Sequence, residues 1–345
     1  MIVSEVLTVL DYLPDGLLEL GVEELHTKLS GPTLIHLQGA RNPPVFISVL
    51  LHGNEHTSWE AVRKLLSHYC GRELPRSVSL FIGNIAAARK NQRFLPGEFD
   101  FNRLWGASSQ AAHPMMQQII DDMRKRGAFL SVDIHNNTGK NPHYACVNRV
   151  EKDFLYLASL FSRSVVFFLK PEGVQSMAFA ELCPAVTIEC GLSGEESGTL
   201  HAFEFLQACL HLSEFPQKEL SAGDLSVYHT VAIAKINPAY DFGFDDIQQR
   251  MANQDIILDS QLEKTNFSPL AAGSVLGWVR NNIANPISVM AEDGSDVSAN
   301  YIVVNDGVIS IKSRIIPAML TLDVSTIKKD CLCYFMEEYP LWTGR

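Results

Sequence analysis

The chain has 345 residues, of which 46% are hydrophobic, 19% charged and 9% aromatic. This is the composition of an ordinary globular protein, so collagen-like, low-complexity and mostly disordered chains are excluded. There are 39 acidic and 28 basic residues, and the formal net charge is −11. An acidic balance argues against a protein that neutralises the phosphates of a nucleic acid, so we expect no nucleic-acid partner.

The sequence shows no signal for export or for membrane insertion. No apolar run approaches the roughly 18–20 residues that a transmembrane helix needs. The acidic start of the chain also lacks the basic region and cleavage site of a signal peptide. The seven cysteines have no CxxC spacing, which indicates reduced thiols. We therefore expect a cytoplasmic protein with no membrane partner and, because acidic enzymes of this size are often dimers, a homodimer.

Short apolar runs alternate with helical patterns from about residue 33 to about residue 215, which is typical of an α/β domain with buried strands. The predicted strands are Thr33–Leu37, Val45–Leu51, Val78–Gly83, Phe129–Ile134, His143–Val147, Val165–Leu169 and Ala185–Ile188. The predicted helices are 58–70, 114–126, 153–162 and 198–213.

The pattern changes after about residue 218, where turn signals multiply and the apolar runs become short and alternating. The segment YIVVNDGVISIK predicts a β-hairpin, because two β-rich runs are joined across Asn305, Asp306 and Gly307. The sequence therefore predicts two domains, an α/β domain over residues 1–218 and a smaller β-rich domain over residues 219–345.

Three of the predicted strands run directly into a histidine or a glutamate. The strand Val45–Leu51 is followed by the letters HGNEHT, which include His52 and Glu55, and the two later strands are followed by His135 and Glu189. In an open α/β sheet, ligands bind where the chain leaves the carboxyl ends of the strands. We therefore expect these four side chains to lie close together.

Two imidazoles and one carboxylate, with a fourth position left to water, form a typical catalytic zinc site. We assign His52, Glu55 and His135 as ligands of one Zn²⁺ per chain. Zinc can lower the pKa of its water to about 7. Glu189 then has the remaining role, that of a general base for this water and a proton donor to the leaving group.

A different metal site is contained in the same letters. His52, Glu55 and His56 match the inverted zincin pattern H-x-x-E-H, in which one helix carries both histidines and the glutamate is the base. Against this, Thr57 and Glu60 form a potential capping box, which predicts that the helix begins only at Thr57. Gly53 and Asn54 are turn formers and are unfavourable within a helix, so we prefer the first assignment.

Basic residues gather in the segments GNIAAARKNQR and DFNRLW, although the chain is acidic overall. Arginine suits the bidentate binding of a carboxylate. We expect Arg93 to polarise a scissile carbonyl and to stabilise its oxyanion, and Asn102 and Arg103 to hold a substrate carboxylate. For Arg89 and Lys90 we prefer a solvated loop with surface ion pairs.

The ordered pieces LLHGNEH, GNIAAARKNQRF, DFNRLW, DIHNN and TIECG span about residues 45–191. With them the chain resembles the succinylglutamate desuccinylase/aspartoacylase family, a branch of the zinc carboxypeptidase superfamily. The resemblance implies a carboxypeptidase-like three-layer α/β/α domain with a mixed sheet, followed by a smaller β-rich domain. It also implies a site in which the same residues have the roles given above: zinc ligands His52, Glu55 and His135, catalytic Glu189, oxyanion-stabilising Arg93, and carboxylate-binding Asn102 and Arg103.

Two features differ from that family. Members that cleave N-acetylaspartate carry a further arginine shortly before the catalytic glutamate, whereas the stretch Gln175–Ile188 contains no arginine or lysine and Lys170 is the nearest basic residue. The loop FLPGEFDF is also longer than in the simplest acylases. Both features argue against N-acetylaspartate and N-succinylglutamate as the substrate.

The sequence therefore predicts a zinc-dependent hydrolase that cleaves an amide bond of an N-acyl amino acid or a small peptide with a free carboxylate. One alternative is a metallocarboxypeptidase that removes C-terminal residues from peptides. Another is a zinc-binding regulatory protein that has lost catalysis, although the presence of Glu189, Arg93 and Arg103 favours an enzyme. The sequence does not select the acyl group, nor does it choose among the candidate site tyrosines Tyr228, Tyr240 and Tyr301.

Overall fold

The computed structural model describes residues 6–106, 113–218, 220–221, 223–245, 254–280 and 283–341, and the chain divides into two compact units. Within the described residues, the first unit runs to Asn136 and then from His143 to Ser226. The second unit contains Asn137–Pro142 and the chain from Val227 onward. The predicted boundary between residues 218 and 219 stays a prediction, and Glu219 lies outside the described residues.

Eight described strands of the first unit form a mixed sheet in the order β1-β2-β4-β3-β5-β8-β6-β7. Strand β3 is parallel to both β4 and β5, whereas β2 is antiparallel to β4, and β6 is antiparallel to β8. The strands are β1 (Thr8–Leu10), β2 (Thr33–Leu37), β3 (Val45–Val49), β4 (Val78–Ile82), β5 (Leu130–Asn137), β6 (Tyr144–Val147), β7 (Ser164–Phe167) and β8 (Ala185–Leu192).

The strands β5 and β8 are longer than the sequence predicts. Their predicted ends, Ile134 and Ile188, are wrong, because β5 continues to Asn137 and β8 continues to Leu192. His135 and Glu189 therefore lie within strands rather than after them. The apolar run ends where polar side chains begin, but the backbone ladder continues, as the antiparallel pairing of Glu189 with Tyr144 shows.

All four helices predicted from the sequence are present in the first unit. The longest, α6, begins two residues earlier than predicted and packs on β8, where a Cβ atom at Gly198 would lie 2.2 Å from the carbonyl oxygen of Cys190. The helices are α1 (Thr57–His68), α2 (Ile85–Ala88), α3 (Pro114–Arg126), α4 (Lys152–Ser159), α5 (Gln175–Phe179) and α6 (Glu196–His211), with 3-10 turns at Leu17–Glu19, Val22–Thr27 and Phe101–Arg103.

The second unit is rich in strands. In one group β13 and β17 pair with opposite edges of β9, and β16 pairs with β17, while the other group has the order β10-β11-β12-β15-β14. The elements are β9 (Ser226–Ile236), β10 (Phe242–Asp245), β11 (Ile256–Asp259), β12 (Val275–Val279), β13 (Ile287–Ala291), α7 (Ser298–Tyr301), β14 (Ile302–Asn305), β15 (Val308–Ile311), β16 (Ile316–Ala318), α8 (Val324–Lys329) and β17 (Cys333–Glu338), with a 3-10 turn at Leu262–Thr265.

The predicted hairpin in the second unit is confirmed. Strands β14 and β15 pair antiparallel, with Asn305 opposite Val308, and the two residues between them are Asp306 and Gly307. Both have positive φ angles, 50° and 78°, which a tight two-residue hairpin turn requires.

The predicted fold class is confirmed, since a mixed α/β unit is accompanied by a smaller β-rich C-terminal region. Its core strands are buried on both faces, as the continuous apolar runs indicate: every residue of β3, β4 and β5 is buried. Within the described part of the chain, no helix is both long enough and apolar enough to cross a membrane.

Candidate metal centre

The segment between β3 and α1 carries two of the candidate ligands. The hydroxyl of Ser58 accepts a hydrogen bond from the backbone N–H of Leu50 and donates one to the carbonyl of Glu55, which closes the turn. Gly53 is required by close packing, because a Cβ atom there would lie 2.2 Å from the backbone nitrogen of Ala88. This turn directs His52 and Glu55 inward, and both side chains are buried.

The helix that follows begins at Thr57, so His52 and His56 do not share a helix as an inverted zincin would require. The predicted capping box is wrong, because Thr57 is the first helical residue and Glu60 pairs with Arg63 instead. The amide of Asn136 takes over the role of a cap. Its oxygen accepts from the Thr57 backbone N–H, and its nitrogen donates to the Thr57 hydroxyl.

Glu55 lies at the centre of the cluster. Its two carboxylate oxygens lie 2.7 Å from His52 Nδ1 and 2.7 Å from His135 Nδ1, respectively. Burial by itself would raise the pKa of Glu55, but the two imidazoles outweigh burial and hold that pKa well below its ordinary range. The structure thus brings together His52, Glu55 and His135, although 80 residues separate Glu55 from His135.

A second carboxylate stands behind each imidazole. His52 Nε2 lies 2.9 Å from Asp100 Oδ1, and His135 Nε2 lies 2.8 Å from Asp133 Oδ2. Burial opposes the charge on Asp100, but His52 and the nearby arginines outweigh it and lower its pKa. Burial likewise opposes charge on His135, but Asp133 and Glu55 raise its pKa well above the ordinary value.

Sequence reasoning missed Asp100 and Asp133 as functional residues. Both were present in the quoted motifs DFNRLW and DIHNN, and Asp133 precedes His135 by two residues, which places both side chains on one face of β5. Asp133 is in turn held by Ser48 of β3, which lies opposite it in the register and whose hydroxyl donates to Asp133 Oδ1 at 2.6 Å.

The remaining candidate residues surround this cluster. The guanidinium of Arg93 lies 3.1 Å from Asp100 Oδ2 and 3.7 Å from Glu55 Oε1. Arg103 donates to the backbone carbonyl of Asn102. The amide of Asn102 is buried, with its oxygen accepting from the backbone N–H of Gln175 and its nitrogen 3.2 Å from His135 Nε2.

Glu189 is buried on β8, and the charged groups of the cluster around Glu55 shift its pKa. Burial is the largest influence on it and raises its pKa, His135 and Arg93 oppose that effect, and the carboxylates Glu55 and Asp133 reinforce it. The net result is a pKa of about 8. A carboxyl group with such a pKa can both accept and release a proton near neutral pH.

The donor set fits a divalent metal ion. One atom from each of His52, Glu55 and His135 lies within 4.8 Å of the others. Both imidazoles present Nδ1 to the shared point, and the opposite nitrogen of each ring faces a carboxylate, which is the arrangement that orients histidine ligands in metal sites. These three residues could therefore hold a metal ion.

Comparisons with a family model and with solved structures both find similarity to succinylglutamate desuccinylases. Residues 41–210 match the model of the Succinylglutamate desuccinylase/Aspartoacylase catalytic domain. Similar solved structures include a succinylglutamate desuccinylase from Vibrio cholerae, at 13% identity and a TM-score of 0.59, where 92% of this chain and 94% of that chain are covered. No curated protein matches the chain.

Two further structures are similar over most of their length. A succinylglutamate desuccinylase from Vibrio parahaemolyticus is 16% identical, with a TM-score of 0.58 and coverage of 88% of this chain and 86% of that chain. Murine aminoacylase 3 is 14% identical, with a TM-score of 0.51 and coverage of 87% of this chain and 97% of that chain. At such low identity these structural similarities establish a shared fold.

The raised pKa of Glu189 predicts a pH-dependent stability in the metal-free protein. A carboxyl whose pKa is about 8 in the folded chain, against 4.5 ordinarily, stabilises the fold fully below pH 4.5. That contribution is lost as the pH rises through about 8. A glutamine at this position does not titrate, so Glu189→Gln does not lose stability in this way. Between pH 4.5 and about 8, the free energy of unfolding of the variant should rise relative to that of wild type by at most about 1.4 kcal/mol per pH unit.

Denaturant unfolding at pH 5 and pH 8.5, with chelator present, measures this difference, and the other titrating groups cancel because both proteins contain them. Glu204→Gln, an exposed change on α6, is the matched control and should follow the wild-type curve. Parallel curves for wild type and Glu189→Gln would show that Glu189 titrates normally.

Proposed function

Because residues 41–210 match the model of the succinylglutamate desuccinylase/aspartoacylase catalytic domain, we propose that the chain belongs to that family and is a zinc-dependent hydrolase of amide bonds. Its substrate is an N-acyl amino acid or a small peptide with a free carboxylate. The observation that carries the proposal is the convergence of two imidazole Nδ1 atoms on Glu55, beside a buried carboxyl group, Glu189, with a pKa near 8.

His52, Glu55 and His135 are the proposed ligands of one zinc ion. Two histidines and one carboxylate are a ligand set found in catalytic zinc sites, and they leave a coordination position open. When bound, zinc supplies a Lewis acid for the substrate carbonyl and lowers the pKa of a water molecule to about 7. Asp100 and Asp133 keep the two rings oriented by accepting from their Nε2–H groups.

Glu189 is the proposed general base and acid. Its carboxylate removes a proton from the attacking water and then donates that proton to the nitrogen of the leaving amine. Both transfers require that the charged and the neutral forms of Glu189 are close in free energy near neutral pH. Burial and the neighbouring carboxylates Glu55 and Asp133 favour the neutral form, while His135 and Arg93 favour the charged form.

Arg93 is proposed to donate hydrogen bonds to the oxyanion that develops from the substrate carbonyl. Asp100 supports this role, because one of its oxygens lies beside Arg93 and the other lies beside His52. A single carboxylate therefore positions both a proposed metal ligand and the proposed oxyanion donor.

Asn102 and Arg103 are proposed to bind the substrate carboxylate. Arg103 supplies the positive charge, and it is anchored through its hydrogen bond to the Asn102 carbonyl. The amide nitrogen of Asn102 faces His135 Nε2, which cannot accept from it once that nitrogen carries the proton shared with Asp133. The amide nitrogen of Asn102 is then available to a carboxylate.

A metallocarboxypeptidase would use the same residues on peptide C-termini, and an inactive zinc-binding protein would retain only the ligands. A substrate panel separates these functions from the proposed one. N-acetyl and N-succinyl amino acids test the deacylase, and unblocked di- and tripeptides test the peptidase. Zinc-loaded protein that cleaves neither class would contradict the proposed hydrolase. The cytoplasmic location and the homodimer stay predictions.

Replacing Glu189 by Gln should reduce turnover by at least about a hundredfold, because a positioned acid–base group contributes roughly that much or more. Zinc content should remain that of the wild type, since Glu189 is not a proposed ligand. Turnover is measured on the best substrate of the panel and zinc by elemental analysis. Glu204→Gln should leave both unchanged. A Glu189→Gln variant with more than a few per cent of wild-type activity would contradict the assignment of the base.

Asp100→Asn and Asp133→Asn should each weaken zinc binding by about 10–100-fold, because each removes the carboxylate that orients a proposed ligand. Competition with a chromophoric chelator measures the affinity without requiring a substrate. Asp122→Asn, which removes a carboxylate bound to Arg126 on α3, is the matched control. Unchanged zinc affinity in both site variants would show that the two carboxylates do not support the ligands.

A further inference from the structure

Two histidines outside the proposed active site contact each other directly. His143 lies just before β6 and His201 lies in the second turn of α6, and their Nδ1 atoms are 2.7 Å apart. Both side chains are half-buried. Because 58 residues separate them, the sequence gives no spacing by which the pair could be recognised.

Neighbouring groups hold the two rings in this arrangement. Phe161 stacks on the His201 ring with a centroid distance of 4.3 Å and an interplanar angle of 13°, and it also lies nearly parallel to the His143 ring. On the other side, His143 Nε2 and Glu195 Oε2 flank Gly191, at 3.1 Å and 3.6 Å from the position of a Cβ atom there. Glu195 thereby adds a negative charge beside the pair.

Two facing Nδ1 atoms can either share one hydrogen bond or bind one cation together. A neutral imidazole carries its proton on one nitrogen, so a hydrogen bond forms only when one ring has its proton on Nδ1 and the other does not. Two rings with protons on Nε2 would instead present two lone pairs to each other. A borderline-soft metal ion accepts both lone pairs at once, and imidazole is a good ligand for zinc, copper and nickel.

We propose that His143 and His201 form a second site for a divalent transition-metal ion, with Zn²⁺ as the probe of choice. Both Nδ1 atoms are ligands, and water completes the coordination because the rings are half-exposed. Glu195 supplies compensating charge. Burial and the neighbouring His201 lower the pKa of His143, which keeps that ring neutral and able to bind.

The second site should be weaker than the first. Among the described residues, three ligand-type side chains converge within 4.8 Å only at His52, Glu55 and His135, so the new site has two protein ligands against three. An ion bound there would link the start of β6 to the helix α6. It would therefore stabilise the first unit without taking part in hydrolysis, and the inference does not depend on the proposed function.

Calorimetric titration of the chelator-stripped full-length protein with Zn²⁺ tests the site. Wild type should bind about one equivalent tightly and a second more weakly. His201→Gln and His143→Gln should each weaken the second equivalent by about tenfold or more, since even a group outside the ligand shell is worth that much. Both should retain the first equivalent, whereas His52→Ala should lose the first and retain the second.

His211→Gln is the matched control, because His211 lies on the same helix but contacts Tyr69, and this variant should retain both equivalents. Retention of tight binding at the first site shows that each variant is folded. Zinc beyond one equivalent should also raise the melting temperature of wild type and not that of His201→Gln. Wild-type protein whose zinc binding, in number of equivalents and in affinity, is matched by both His143→Gln and His201→Gln would overturn the proposal.

Discussion

The candidate site depends on one buried carboxylate that two imidazoles share. One carboxylate oxygen of Glu55 lies 2.7 Å from Nδ1 of His52, and the other lies 2.7 Å from Nδ1 of His135. A buried negative charge is costly unless it is compensated, and here the compensation comes from His52 in the turn after β3 and from His135 on β5. The close approach of β3 and β5, which are parallel neighbours, is therefore a condition for the site and not only for the core.

The polar groups around Glu55 form a chain that extends into the sheet. Asp133 holds His135, and Ser48 holds Asp133 from the facing position on β3. On the other side, Asp100 joins His52 to Arg93. Because buried polar groups must be paired, loss of one member would leave a partner unsatisfied and displace the next. The same packing that stabilises the sheet thus fixes the directions of the proposed ligands.

The two central glutamates have the same side chain, but their surroundings shift their pKa values in opposite directions. Glu55 lies between two imidazoles, so its pKa is held well below the ordinary range. Glu189 lies in the same buried region, but burial and two carboxylates dominate its surroundings, and its pKa is about 8. Separate roles for two equal carboxyl groups, one a ligand and one a proton carrier, follow from this difference in environment.

Much of this arrangement could be predicted from the sequence. Continuous apolar runs predicted the buried strands, and apolar residues at helical spacing predicted the four main helices. Both patterns are informative because the positions of apolar residues follow which side chains are buried. The motif residues His52, Glu55 and His135 were expected together because strand ends meet at one edge of a sheet. The hairpin at Asp306 and Gly307 was predictable because its turn needs residues that tolerate positive φ.

Other features depend on contacts that no local pattern records. Strands β5 and β8 extend through His135 and Glu189 to Asn137 and Leu192, which lie three and four residues beyond the predicted ends Ile134 and Ile188. The backbone ladder continues where the apolar run has ended, as the pairing of Glu189 with Tyr144 shows. The start of α1 uses Asn136, 79 residues away in the sequence, in place of a local cap. Asp100 and Asp133 were not recognised because their function lies in the rings that they orient.

The most direct measurement of the central claim is the position of the metal in a crystal of zinc-loaded protein, found by anomalous diffraction at the zinc edge. We predict a strong peak about 2.0–2.2 Å from His52 Nδ1, His135 Nδ1 and a carboxylate oxygen of Glu55, with Nε2 of each ring still facing Asp100 or Asp133. The absence of a zinc peak at these three side chains at full loading would contradict the metal centre and the hydrolase built on it.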